Sequence, residues 1–138
     1  MADRILAIDF GKKRIGLAIG DTETKLATGF MSIQYENHDK LIEELRKLIS
    51  EENIAIIVIG LPINTDGSEG EAAIEIRRLS EKMKSRLKMA VNLLDETLTS
   101  EEAIRKLRND IGRIDRKTGK IDMVAATVIL QEYLDNLP

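Results

Sequence analysis

The chain has 138 residues, 43% hydrophobic and 33% charged, with a net charge of -3 and no cysteine. That balance excludes a disordered chain and a disulfide framework, and no apolar run reaches the ~18 residues that a membrane span needs. A single histidine, His38, argues against a histidine-rich zinc site or a Ser-His-Asp triad. The length predicts one domain, residues 1–138, with enough chain for a real core. No basic region followed by a long apolar segment opens the chain, so no signal peptide is expected; the lack of cysteine suits the cytoplasm. Any metal must be held by carboxylates, which favours Mg²⁺ or Mn²⁺.

Taken in order, Arg4 to Phe10 and Arg14 to Gly20 read as strands joined by a tight Gly-Lys-Lys hairpin. Ala27 to Tyr35 is a third strand. Asn37 to Glu52 has leucines and isoleucines at helical spacing, with Asn37 or Asp39 as its cap. Ile54 to Pro62 is a continuous apolar run, the pattern of a strand buried on both faces. A polar, glycine-containing loop leads to a helix from Glu69 to about Leu87, and Ala90 to Glu96 is the next buried strand. Thr99 opens a further helix, Gly112 to Gly119 is a basic loop, and the last helix runs from about Ile121 to Asn136. An antiparallel start followed by crossover units predicts an α/β fold: a mixed sheet with helices on both faces.

Charge is segregated along this order. Acids crowd Glu36 to Glu52, while Arg105 to Lys120 carries seven bases, Arg113, Arg116, Lys117 and Lys120 among them, against Asp110 and Asp115. An acidic total is therefore compatible with a basic working face for nucleic acid. Aromatic residues are only 3% of the chain, so contacts to backbone phosphates are expected rather than base stacking.

Three acids sit at element ends. Asp9 closes the first strand, Asp95-Glu96 the last, and Asp122 opens the final helix. Functional groups in such sheets gather at the carboxyl ends of the parallel strands. Three carboxylates converging there repel one another unless cations neutralise them. Two Mg²⁺ ions sharing such ligands can activate water and stabilise the leaving oxygen of a phosphodiester. Each acid also has a structural reading: Asp9 as a turn cap before Gly11, Asp95 as a solvated strand end, Asp122 as an N-cap. Lys12, Lys13 and Arg14 either steer a phosphate backbone or keep the hairpin solvated. The hairpin is also similar to the phosphate-gripping hairpin of actin-like ATPases, and GLPINTDGSEG before a helix is a second candidate for an anion. An ATPase of that kind needs two lobes, and the chain has length for one. His38 reads as a surface histidine, distant in sequence from the acids.

The segments AIDFGKKRIGLAIGD, VIGLPINTDGSEGE, LLDETLTSEEA and GKIDMVAATVILQEYLD, in this order, resemble the YqgF family over nearly the whole chain. Its members go under the names pre-16S ribosomal RNA nuclease and Holliday junction resolvase. The resemblance implies a ribonuclease H-like fold, a five-stranded sheet of order 3-2-1-4-5 with the second strand antiparallel to the rest. It implies Asp9, Glu96 and Asp122 as the catalytic, metal-binding set, with Mg²⁺ or Mn²⁺. It also implies hydrolysis of phosphodiester bonds in 5′-end processing of pre-16S ribosomal RNA, within a pre-ribosomal particle. Thr97 stands where the family has an arginine, which leaves another base, such as Arg14, to hold the scissile phosphate. The expectation is therefore a metal-dependent nuclease, gripping structured RNA or branched DNA with Lys12, Lys13, Arg14 and the bases from Arg113 to Lys120. The competing expectation is a nucleic-acid-binding factor without catalysis. Both a monomer and a homodimer joined through the hairpin edge or Met31 fit the sequence.

Overall fold

The computed structural model describes residues 2–11, 14–64, 66–96 and 120–138, and of 120–122 the backbone only. Its strands are β1 (Arg4–Phe10), β2 (Arg14–Asp21), β3 (Ala27–Gln34), β4 (Ile54–Pro62) and β5 (Ala90–Glu96). Its helices are α1 (His38–Glu52), α2 (Glu71–Leu87) and α3 (Lys120–Asp135). The sheet order is β3-β2-β1-β4-β5, the order expected. β2 is antiparallel to both its neighbours, while β1, β4 and β5 run parallel. The further helix expected from Thr99 and the basic loop from Gly112 to Gly119 lie outside the described residues.

The strands form where the apolar runs place them. β1, β4 and β5 begin and end at the expected residues, because each run stops at a charged or turn-forming neighbour. Asn37 caps α1, its side chain accepting from the Lys40 N–H at 2.9 Å. The left-handed Asn53 (φ 53°) ends that helix, its N–H donating to the Ile49 carbonyl. α2 starts two residues later than expected, at Glu71. Glu69 does not join the first turn; its carboxylate takes a two-pronged bond from Arg77, at 2.6 and 2.9 Å. The loop before it closes on itself instead, with Asn64 N–H donating to Ser68 O at 2.9 Å and Gly67 at φ 87°.

The two faces of the sheet are built differently. One face presents Leu6, Ile8, Ile15, Leu17, Ile57 and Ile59 to α1 and α2. The other presents Ile5, Ala7, Ala18 and Val58 to α3, through Ala126, Ile129, Leu130 and Leu134. Small residues there let the helix come close. At Gly20 a Cβ would stand 2.7 Å from the Leu26 carbonyl and 3.1 Å from methyls of Leu130 and Leu134. α3 also clamps the edge strand: the Gln131 amide accepts from Ala27 N–H at 3.0 Å and donates to Lys25 O at 2.8 Å. Among the described residues no helix is long and apolar enough to cross a membrane.

Candidate acidic site at the carboxyl edge

Strand alternation decides which acids meet. Ile5 and Ala7 face α3, so Asp9 does too; Ile56 and Val58 face it, so Gly60 does; Leu94 faces it, so Glu96 does. Ile8 pairs with Ile59, which brings Asp9 level with Gly60 on the next strand, about 4.8 Å away. Glu96 pairs with Pro62, two residues further on. Its side chain leans back over β4: a Cβ at Gly60 would stand 2.5 Å from Glu96 Oε1 and 2.6 Å from Ile129 Cδ1. The missing side chain at Gly60 is thus what lets the Glu96 carboxylate lie over β4, on the face that Asp9 shares. Glu96 Oε1 is buried.

α3 points its start at the same edge. Leu130 and Leu134 lie over Gly20, opposite Ile5 at the start of β1, whereas Ile129 lies over Gly60 near the end of β4. The helix therefore runs against β1, with its N-terminus toward the carboxyl edge. Asp122 is its third residue, inside the first turn rather than at the cap position that the sequence allows. Its helical position falls on the stripe of Ala126 and Ile129, both fully buried, by the i, i+4, i+7 spacing. The Asp122 side chain lies outside the described residues. Among the described residues no three His, Cys, Asp or Glu form a metal-holding group; Asp9 and Glu96 are two carboxylates on one face. Their donors are all oxygen, the set that hard divalent cations take.

The basic candidates divide. Arg14 is exposed at the start of β2 and shares a face with Gly16, the partner of Asp9. Lys12, Lys13, Arg113, Arg116 and Lys117 lie outside the described residues, as does Thr97. Lys120 is the first residue of α3 rather than part of a loop, and its side chain is not described. The helix start after GLPINTDGSEG is a poor anion site. Glu69 and Glu71 stand at it and already complement its dipole, and the Arg77 guanidinium holds the Glu69 carboxyl below its ordinary value.

One expectation is sharpened on the opposite face. His38, read as a surface histidine, is half-buried, its side chain 17% exposed. Its Nε2 lies 3.3 Å from Glu75 Oε1, and Lys82 Nζ lies 3.1 Å from its Nδ1. Two of the scarce aromatics are gathered there. Phe10 and Tyr35, half of the four phenylalanines and tyrosines in the chain, line one cavity of about 420 Å³ with His38 and Glu75. No signal in the sequence finds this cavity, since its walls come from β1, β4, α2, the start of α1 and the segment before it.

Comparison with known proteins bears on this geometry. The sequence model of the RuvX family, described as Holliday junction resolvase, matches residues 3–136. A Dictyoglomus turgidum protein named "Putative pre-16S rRNA nuclease" is 41% identical over 135 residues, 97% of this chain and 95% of that protein. Thermus thermophilus RuvC, solved in complex with a Holliday junction, is similar with a TM-score of 0.61 at 11% identity, over 95% of this chain and 93% of RuvC. Fowlpox virus resolvase, solved with Holliday junction DNA, gives 0.57 at 10% identity, over 96% and 97%. At such identities the two structures speak for the fold. The chain has a ribonuclease H-like fold and belongs to the RuvX family, the YqgF family of the sequence resemblance.

Proposed function

We infer that the chain is a nuclease, a hydrolase of phosphodiester bonds, and propose that it works with Mg²⁺ or Mn²⁺ in 5′-end processing of pre-16S ribosomal RNA. The single observation that carries the site is the Glu96 carboxylate lying over Gly60, on the face and at the level of Asp9. In this reading Asp9, Glu96 and Asp122 hold the cation, two ions where all three share them. The bound cation supplies Lewis acidity that activates water and steadies the leaving oxygen. The chain's own residues do the rest. Asp9 and Glu96 stand on rigid parallel strands, which fixes their spacing before substrate arrives. Arg14, beyond Asp9 on the same face, holds a phosphate of the substrate backbone in place of the arginine absent at Thr97. Lys12, Lys13, Arg113, Arg116, Lys117 and Lys120 extend that basic rim. The enzyme would cut internally and act on a pre-ribosomal particle in the cytoplasm, as a monomer or as a homodimer through the hairpin edge or Met31, which is exposed on β3.

The second reading is resolution of branched DNA, which the description of the family favours. One assay separates them: Asp9→Asn and wild type are given a structured RNA carrying a 5′ precursor extension, and a four-way DNA junction, with Mg²⁺ or Mn²⁺. Loss of cleavage should exceed the roughly 100-fold that removal of an outer-sphere partner costs. Cleavage of the junction alone moves the substrate to DNA. Full metal-dependent cleavage by Asp9→Asn overturns the site.

A further inference from the structure

The cavity on the α1/α2 face touches the acidic site at its rim. Phe10 follows Asp9 and, by strand alternation, turns to the opposite side of β1. Pro62 is the register partner of Glu96. Both line the cavity, so its walls include a neighbour of each acid. Gly11, exposed at the lip, leaves the edge between the two sides low. Its volume of about 420 Å³ is in the range of small-ligand sites.

The walls suit one kind of occupant. Phe10 and Tyr35 supply aromatic faces, and the His38 ring stands 6.2 Å from that of Tyr35, tilted by 58°. Unstacked bases are taken up on such rings. Polar recognition comes from Glu75. The His38 ring is held between Lys82 Nζ, 3.1 Å from Nδ1, and Glu75 Oε1, 3.3 Å from Nε2. That contact orients the carboxylate and leaves it further lone pairs, for a carboxylate has about four acceptor sites. Burial, and then the charge of Glu75, hold the Tyr35 phenol above its ordinary value, which places that charge at the aromatic wall. A carboxylate beside stacking rings matches the base with two adjacent donors on its pairing edge. Guanine has them in N1–H and the exocyclic N2 amine; adenine presents an acceptor at N1.

We propose that this cavity receives an unstacked guanine of the nucleic-acid strand whose backbone lies at Asp9 and Glu96. The proposal rests on the nuclease reading above and adds a base preference to it. Tyr35 and Phe10 would stack the base and Glu75 would read it, one residue around the sheet edge from the cleavage chemistry. The site would thereby set where along a strand the enzyme engages.

Binding without divalent metal tests this apart from cleavage. Fluorescence anisotropy would compare short ribo- and deoxyribo-oligonucleotides of pyrimidines that carry one guanine, one adenine or neither. Wild type should prefer guanine. Tyr35→Ala should weaken the guanine oligonucleotide roughly 5- to 100-fold and leave the all-pyrimidine one unchanged, while Tyr35→Phe restores binding. Glu75→Gln should reduce guanine to the level of adenine. Both side chains are partly exposed, 37% for Tyr35 and 57% for Glu75, so the folded chain should tolerate these changes, with circular dichroism as the check. Equal binding of all three oligonucleotides by wild type, or an equal loss with each in Tyr35→Ala, overturns the proposal. Free guanosine monophosphate binding as tightly as the oligonucleotide overturns it as a substrate subsite. If Asp9-dependent cleavage persists while the cavity is silent, the proposal fails alone. If no oligonucleotide binds and nothing is cut, the nuclease reading fails with it.

Discussion

The two faces of the sheet carry residues of different size, and the size decides what each face can do. Toward α1 and α2 the strands send branched side chains, Leu6, Ile8, Ile57 and Ile59, all fully buried. That packing holds two helices away from the backbone and leaves a cavity at the carboxyl edge where the apolar layer runs out. Toward α3 the sheet sends fully buried Ile5 among smaller residues, Ala7, Ala18, Val58 and glycines. There one helix comes almost onto the backbone, and polar groups of helix and sheet are brought within reach of each other. Branched residues dominate one side of the sheet; on the other, Gly60 makes room for the Glu96 carboxylate.

The largest expected effect breaks the bulky side. Leu45 on α1 is fully buried in that layer. Leu45→Ala should cost about 2–5 kcal/mol, the lost transfer energy plus the cavity left behind. Denaturant melts would read it. Specific cleavage by the remaining folded protein should stay near that of wild type, because the proposed site stands on the other face. A loss of specific activity as large as the loss of stability would show that the faces are not separable.

Much of this division is legible in the order of the amino acids. Apolar runs locate β1, β4 and β5, and the succession of elements, with four family-like segments, points to sheet order and family. Placing Asp9 and Glu96 on one face needs only register and alternation. Two features resist for a physical reason. Gly60 reads as a strand breaker before Pro62, because a missing side chain says nothing about the neighbour that fills its place. His38 reads as a surface residue, because the groups that cover it, Glu75 and Lys82, are 37 and 44 positions away. Long-range side-chain pairing leaves no periodic trace.

Two glycines on the α3 side sharpen the comparison. At Gly60 an added methyl meets the ends of two side chains, Glu96 Oε1 at 2.5 Å and Ile129 Cδ1 at 2.6 Å, which can swing aside. Gly60→Ala should therefore move the carboxylate and lower cleavage roughly 10- to 100-fold, the scale of a disturbed metal environment. Its melting temperature should change little, since loss of chain entropy in the unfolded state offsets part of the strain. At Gly20 the obstacle is the Leu26 backbone carbonyl at 2.7 Å, which cannot swing. Gly20→Ala should lose about 1–3 kcal/mol of stability with cleavage by the folded fraction intact. Measuring kcat and Tm for both variants decides it; a Gly60→Ala protein that melts early but cleaves normally would remove Gly60 from the site.

The smallest effect lies at the rim that both faces share, in the turn from β2 to β3. Asp21 Oδ1 accepts from the N–H groups of Thr24 at 2.7 Å and Glu23 at 2.9 Å, and Oδ2 accepts from the Thr24 hydroxyl at 3.0 Å. The backbone bond from Thr24, foremost, holds the Asp21 carboxyl below its ordinary value. A lowered carboxyl stabilises the fold above the ordinary carboxylate range, and that contribution is lost as pH falls through its folded value. Asp66, bonded by the Ser68 hydroxyl and N–H, and Glu69, bonded by Arg77, shift the same way. Stability should therefore be level near neutral pH and fall below about pH 4. Asp21→Asn keeps an oxygen acceptor but gives up the charge, so Tm should be lower than wild type at pH 7 and converge on it in acid. A constant Tm difference down to about pH 2 would show that the lost geometry, and not the ionised carboxylate, is what the turn uses.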